Sequence, residues 1–270
     1  MASNSAIPVW FITTASSGFG HEIASAALQR GHRVIATPRD LTKQATETYG
    51  RIDYLINTAA YILEGTVEEA TTEEVQQKFN VNVFGTVNTI RAFLPYLRAQ
   101  PVTETRPRAT IATFGSLGSW QGGASYAFYG MTKACMSSLA ESLGAELAPF
   151  DIRVTVVEPN ISGRGVLKAG AKVSTQARIP AYENQSTPSG MLRSFLLTAD
   201  GTQPGDVRKG VAVLLDILTA SGVAEGKELP ARIVLGSDCE AVVRDKCQGT
   251  LDFLDTWGPI SRLTDYAKEA

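Results

Sequence analysis

Short apolar runs alternate with amphipathic stretches of helix length along the whole chain. Val9–Thr13, Arg33–Thr37, Ile52–Asn57, Ala109–Phe114, Arg153–Val157 and Arg232–Leu235 read as strands, the first of them short and buried. Between and beyond them, His21–Arg30, a short piece around Lys43–Thr48, Thr72–Arg98, Tyr126–Pro149, Pro204–Leu218 and Cys239–Asp255 read as helices. Pro95 and Pro149 mark the late ends of their helices, because proline cannot supply the backbone N–H that a continuing helix needs. Strand and helix in alternation imply an α/β fold, a parallel sheet joined by right-handed crossovers. No repeat or low-complexity stretch interrupts the pattern.

The first strand runs straight into Thr14-Ala15-Ser16-Ser17-Gly18-Phe19-Gly20 and a helix-forming stretch over Glu22–Gln29. Strand, Gly/Ser-rich turn and helix form the first half of a dinucleotide-binding unit. Such a turn presents backbone N–H groups at the positive end of a helix, where a pyrophosphate can sit. Gly18 and Gly20 would let the backbone approach the ligand and the helix approach the sheet. Further along, Tyr129-Gly130-Met131-Thr132-Lys133 puts a phenol and an ammonium four residues apart, on one face of a helix. An ammonium beside a phenol favours the phenolate and so lowers a pKa that starts near ~10. A phenol tuned in this way exchanges a proton with a substrate oxygen near neutral pH. Ser116 stands thirteen residues upstream, within glycines that also read as plain turn chemistry.

Thr13-x-x-x-x-Gly18-x-Gly20, Asn57-Thr58-Ala59-Ala60, Asn82, Ser116, Tyr129-x-x-x-Lys133 and Glu158-Pro159 share the order and spacing of the short-chain dehydrogenase/reductase family. The chain resembles that family from about residue 7 to about residue 165. The wording from Gly115 to Gly123 is similar to reductases of fungal secondary metabolism. The resemblance implies a Rossmann-like, doubly wound parallel sheet in three α/β/α layers. Arg39 to Arg51 spans only thirteen residues, too short for the helix, strand and helix usual there. The usual third strand is therefore expected to be missing, leaving six strands and a sheet that ends on the second.

The same resemblance assigns catalytic roles to Asn82, Ser116, Tyr129 and Lys133. Ser116 would hydrogen-bond the substrate oxygen and Tyr129 would exchange the proton. Lys133 would tune Tyr129 and grip the ribose hydroxyls, while Asn82 (with Asn80 as its nearby competitor) would hold a water linked to the lysine. The cofactor would be held by Thr14, Ser16, Ser17, Gly18, Phe19, Gly20, Arg39, Asn57, Ala59, Tyr129, Lys133 and Pro159. No acid stands at the end of the second strand to hold a ribose 2′-hydroxyl, and Arg39 just beyond it suits a 2′-phosphate. NADP(H) is thus the expected cofactor. Family members commonly form dimers and tetramers through the helices that correspond to Thr72–Arg98 and Tyr126–Pro149. A homodimer or homotetramer is expected, with Phe84, Val87, Phe93, Cys135, Met136 and Leu139 as candidate contacts.

Composition narrows the setting. With 270 residues, 44% of them hydrophobic, the chain suits a single domain over 1–270. A net charge of −2 makes no electrostatic case for nucleic acid or an acidic membrane. No apolar run approaches the ~20 residues of a membrane helix, and Met1–Pro8 lacks the order of a signal peptide. Cys135, Cys239 and Cys247 are too scattered for a disulfide framework or a zinc site, so no metal is expected and the compartment reads as cytoplasmic. His21 and His32 have no partner motif, which argues against Ser-His-Asp chemistry. Asn160–Pro204 is rich in Gly, Ser, Pro and Thr and follows the last strand of the match, so it reads as a long loop capping the substrate. Tyr61, Trp120, Phe128 and Tyr182 suggest that the substrate is a small apolar or polycyclic metabolite.

Four departures from the family pattern fall on the cofactor side. Thr14 replaces the first glycine of the turn, which is costly if that position needs positive φ. Thr58 replaces an asparagine whose amide ties the central strands, Asn160 replaces a glycine, and one strand is absent. The catalytic set is complete. Two readings follow: an NADP(H)-dependent oxidoreductase acting on a carbonyl or secondary alcohol, or a redox-silent relative. The latter would be an isomerase, dehydratase, cyclase or non-catalytic binding protein.

Overall fold

The inner strands of the sheet are apolar because both of their faces are covered. In the computed structural model, which describes residues 7–37, 47–103, 106–159, 171–198 and 205–266, six strands form one parallel sheet. They are β1 (Val9–Thr13), β2 (Arg33–Thr37), β3 (Tyr54–Asn57), β5 (Ala109–Phe114), β6 (Ile152–Pro159) and β8 (Arg232–Leu235), in the order β2-β1-β3-β5-β6-β8. Two further strands, β4 (Ile62–Glu64) and β7 (Lys172–Ser174), pair with each other alone. Successive side chains on a strand point to opposite faces. Trp10, Ile12, Ile56 and Ala112 therefore pack with Ile23 and Ala27 of α1 (Gly18–Gln29) and Leu214 and Leu215 of α7 (Val207–Thr219). Phe11, Leu55, Ile111 and Val156 meet the other layer, α3 (Gly85–Ala99) and α4 (Ala127–Leu147), through Phe93, Leu97, Ala140 and Leu143. The doubly wound, three-layer expectation is met, and the described sheet ends on β2 as the short second crossover requires.

Several boundaries differ from the sequence reading for local reasons. β3 starts at Tyr54 because Asp53 is taken by other partners: its carboxylate accepts from Val9 N–H at 2.8 Å and pairs with Arg51. α1 starts at Gly18, so the glycine turn is already its first turn. The Thr72–Arg98 stretch is not one α-helix. α2 (Thr72–Phe79) opens with a capping box between Thr71 and Glu74, and a π-helical segment, Asn80–Phe84, separates it from α3. α8 (Ser237–Ser261) is longer than Cys239–Asp255. Most of the short helix expected around Lys43–Thr48, together with Arg39 and Asn160, lies outside the described residues.

His32 serves the core: it accepts from the Trp10 indole N–H at 3.0 Å, and burial lowers its pKa. Phe93 and Met136 are each 2% exposed and belong to the monomer core, whereas Phe84 is 54% exposed. Among the described residues no helix is long and apolar enough to cross a membrane.

The largest correction concerns the expected long loop. Residues 171–198 form β7, α5 (Pro180–Glu183) and α6 (Pro188–Thr198). Ionic contacts rather than apolar periodicity hold them. Arg193 pairs with Glu64 at 3.0 Å, with Glu183 at 2.7 Å and with Glu69, while Arg178 reaches Glu64 at 2.7 Å. The Ile179 N–H donates to Glu69 at 3.0 Å and the Ser174 hydroxyl to Glu64 at 2.9 Å. Burial would raise both carboxyls, but hydrogen bonds overcome it, from Arg178, Arg193 and Ser174 at Glu64 and from Arg193, Ile179 and Thr66 at Glu69, and hold each at about 2 against an ordinary 4.5. Removing one partner of a buried pair strands the other charge, so Arg193→Met should cost about 3 kcal/mol in urea unfolding. Because both carboxyl pKa values are depressed by folding, their stabilisation is complete above pH 4.5 and is lost as pH falls through about 2. Glu64→Gln should flatten that acid limb in a series of thermal melts.

Candidate active site

The site lies along the carboxyl ends of the parallel strands, at the point where the winding reverses between β1 and β3. The turn after β1, Asn57 at the end of β3, Ser116 after β5 and Pro159 at the end of β6 share this edge.

On the expected cofactor side, Thr14 has φ +56° and Gly18 has φ +58°. The left-handed region crowds a Cβ, so Thr14 holds a conformation that suits glycine. Ser17 is the extended N-cap of α1, and its hydroxyl caps none of the first-turn N–H groups. A Cβ on Gly20 would run into the Thr14 carbonyl oxygen and the Thr58 hydroxyl, so only glycine lets this helix approach the strand ends. Ser16 and Ser17 are exposed and Ala59 is half-buried. Phe19 lies 5.5 Å from Phe114, ring to ring, and packs on the core.

The expectation that Thr58 loosens the central strands is overturned. Its hydroxyl donates to the Thr13 carbonyl, and its N–H donates to the Thr13 hydroxyl at 3.0 Å. A threonine pair thus ties β1 to β3 where an amide was expected. Asn57 is 3% exposed, yet neither its side-chain oxygen nor its nitrogen has a partner. A buried amide left so costs about 1–3 kcal/mol, which marks this crevice as one that lacks a ligand's polar groups.

On the catalytic side, Ser116 caps the single turn Leu117–Ser119 and accepts from Gly118 N–H at 3.2 Å. Tyr129 and Lys133 lie on one face of α4, and Ser116 and Tyr129 line the same cleft. Burial pushes the phenol up, and the Ser116 hydroxyl pulls it back down. The lysine does not lower it as the spacing alone suggested. Lys133 donates to the Phe114 carbonyl at 2.7 Å, and its nitrogen stands 5.6 Å from the centre of the Tyr129 ring. Desolvation brings Lys133 itself down to about 8.

Asn82 sits in the π-helical segment, 2% exposed. Its amide donates to the Tyr61 carbonyl and the Thr132 hydroxyl, both at 3.1 Å, and accepts from Tyr61 N–H at 3.1 Å. Asn82 therefore pins the segment after β3 against α4.

Two residues of this neighbourhood escaped the sequence reading. Lys78, four before Asn82 on α2, is fully buried, with its nitrogen 4.3 Å from the Tyr61 ring centre and 4.9 Å from that of Tyr129. Its spacing from Asn82 was the available signal. The second, Arg232, reaches the buried carboxylate of Glu158 at 2.9 Å, beside bonds from Trp120 and Ser137, each at 2.7 Å. Trp120 is thereby fixed as structure.

Ser116 and Tyr129 open into a cleft of about 340 Å³, walled by Ile62, Leu117 and Tyr126 and by Leu192, Phe195 and Leu196 of α6. A more open hollow of about 590 Å³ adjoins it at Gly123, lined by Thr66, Glu68, Ser125, Tyr182 and Ser189.

Comparison with known proteins agrees with this geometry. The short chain dehydrogenase family model matches residues 37–169. A 3-ketodihydrosphingosine reductase of Bacteroides thetaiotaomicron is 36% identical over 55% of this chain, which spans 61% of that protein. Oxidoreductase claN of Passalora fulva is 32% identical over 60% of this chain and 86% of its own length. A short-chain dehydrogenase structure from Streptomyces avermitilis superposes with TM-score 0.81 at 28% identity, over 98% of this chain and 100% of that one. One from Burkholderia cenocepacia in complex with NADP shares the fold, with TM-score 0.63 at 22% identity over 92% and 96% of the two chains. Sequence and fold agree on one origin, and the chain belongs to the short-chain dehydrogenase/reductase family.

Proposed function

We propose that this protein is an NADP(H)-dependent oxidoreductase that reduces a carbonyl, or oxidises a secondary alcohol, on a small apolar or polycyclic metabolite. Ser116 and Tyr129 together at an apolar cleft, with Lys133 buried and its nitrogen 5.6 Å from the ring centre, carry this reading.

The residues present suit a dinucleotide. Asn57 at the end of β3 has an unpartnered buried amide, Gly18 has open space where a Cβ would stand, and no side chain caps the first turn of α1. Gly18, Gly20, Asn57 and Lys133 would hold the cofactor, with Thr14, Ser16, Ser17, Ala59 and Pro159 around it. Arg39 favours the form with a 2′-phosphate; of two Burkholderia proteins with this fold, one is in complex with NADP and the other with NAD. When bound, the nicotinamide supplies or accepts the hydride.

The chain's own part is orientation and proton transfer. Ser116 holds the substrate oxygen beside the phenol. A phenol raised above its ordinary pKa stays protonated at neutral pH, so Tyr129 is set to give a proton as a carbonyl becomes an alcohol. Lys133 keeps a positive charge near the oxygen that loses it. Asn82 fixes Tyr61 and Thr132 around this group, and the water it is expected to hold would have to share its amide. Residues 171–198 act as the cap, with Leu192, Phe195 and Leu196 selecting an apolar substrate. Phe84, half exposed on the π-helical segment, is the contact we assign to a homodimer.

The redox-silent reading draws on Thr14, whose strained backbone sits at the cofactor turn. Calorimetric titration with NADPH, NADP⁺ and NADH separates the two. Micromolar NADPH binding, weaker for NADH and lost in Arg39→Ala, is the expected result; no binding up to millimolar would leave only redox-neutral chemistry for Tyr129.

Thr14→Gly should raise unfolding stability by about 1 kcal/mol and tighten NADPH several-fold, because the left-handed strain disappears. Weaker binding in that variant would show that the threonine side chain contributes to the site. Tyr129→Phe should keep NADPH affinity and slow reduction of an aromatic quinone probe by roughly 10²–10⁴. Unchanged turnover in Tyr129→Phe would remove the tyrosine from the mechanism.

A further inference from the structure

Lys78 is placed where a lysine harms the fold. Its side chain is 0% exposed, and its nitrogen has no hydrogen-bond partner. The groups facing it are the rings of Tyr61, from the segment after β3, and Tyr129, from α4, with Lys133 as the neighbouring charge. On its own helix, Glu74 is one turn away, but its carboxylate accepts from the Thr71 and Gln176 N–H groups. Among the described residues no carboxylate pairs with Lys78.

Desolvation first, and then the charge on Lys133, pull Lys78 down to about 6 from an ordinary 10.5. Folding must therefore strip its proton at neutral pH, so stability rises with pH between about 6 and 10.5 and is lowest below that window. Methionine would fill the same space at no such cost. A side chain that opposes folding and lies against the reacting tyrosine is best explained by the reaction.

We propose that Lys78 is a positioning residue of the active centre, a second amine behind the Tyr129 ring that stabilises the phenolate formed when the tyrosine gives up its proton. This rests on the reading of Tyr129 as the proton-transfer group. While Tyr129 is ionised, the neutral amine of Lys78 takes a proton from solvent, and the two charges exist as a pair. When the phenol regains its proton, Lys78 releases its own, so a turnover leaves Lys78 unchanged. Lys133 is tied to the Phe114 carbonyl, whereas Lys78 lies nearer the ring, at 4.9 Å against 5.6 Å.

The test needs neither cofactor nor substrate. Protein carrying Cζ-¹³C tyrosine is titrated by NMR, with the Tyr129 signal identified by its loss in Tyr129→Phe. The titration runs up to the pH at which far-UV circular dichroism begins to change. In Lys78→Met the Tyr129 ionisation should move up by about one pH unit or more, while the thermal midpoint at pH 7 stays level or rises. Equal Tyr129 signals in wild type and variant at every pH would overturn the proposal. So would a lower midpoint with an unmoved tyrosine, the result of a purely structural lysine. Lys78→Gln is read the same way should the methionine variant fail to fold. Because no NADPH is present, failure here is separate from failure of the oxidoreductase reading, which the calorimetric titration decides.

Discussion

Buried charge is the constraint on which the rest of this molecule depends. Taking an ion out of water costs several kcal/mol unless a partner replaces the lost hydration. Four buried carboxylates meet that demand with arginine: Asp53 with Arg51, Glu64 and Glu69 with Arg178 and Arg193, and Glu158 with Arg232. These pairs are architectural. They fix the start of β3, fasten residues 171–198 over the cleft, and tie β6 to β8. The two buried lysines are treated differently. Lys133 has a backbone carbonyl and Lys78 only aromatic faces. Among the described residues, the buried carboxylates that serve structure are neutralised, whereas the two buried lysines beside Tyr129 have no counter-charge, and desolvation and then Lys133 lower the pKa of Lys78.

This division explains what could be read in the chain beforehand. β1, β2, β5 and β8 match the expected strands residue for residue; β1 and β5 do so because a strand buried on both faces needs an unbroken apolar run. β3 was placed two residues early, since Ile52 continues the apolar run while Asp53 ends it through a contact with β1 that no local pattern records. The π-helical turn at Asn80–Phe84 was illegible because it leaves the hydrophobic spacing of its neighbours nearly unchanged. Residues 171–198 looked like a loop for a sharper reason: their stability comes from guanidinium–carboxylate pairs more than 100 residues apart in sequence, and period-counting sees only apolar faces.

The candidate site was legible to the extent that it is local. Tyr129 and Lys133 share a helix face, and the glycine turn is contiguous, so spacing alone places them. Ser116 came from resemblance, and the structure places it with Tyr129 on one cleft. What spacing missed was the sign of the effect on Tyr129. An i, i+4 ammonium lowers a phenol pKa in water, but here the lysine is turned to a carbonyl and desolvation prevails. Lys78 was passed over for the same reason. A lysine on an amphipathic helix normally lies in solvent, and only the crossing of α2 with α4 buries this one.

The departures from the family pattern weigh differently once packing is known. Thr58 repairs what its substitution removes, since its hydroxyl and N–H both bond to Thr13 and hold Gly20 close to the strand ends. Thr14 repairs nothing: its side chain is exposed while its backbone is held left-handed. The two lie on either side of the same crevice, beside an asparagine whose amide is buried without partners. The two costs point in different directions. A bound dinucleotide would give the Asn57 amide the partners it lacks, so that cost belongs with the proposed cofactor site. No ligand relieves a left-handed backbone, so Thr14 remains the observation on the side of the redox-silent reading.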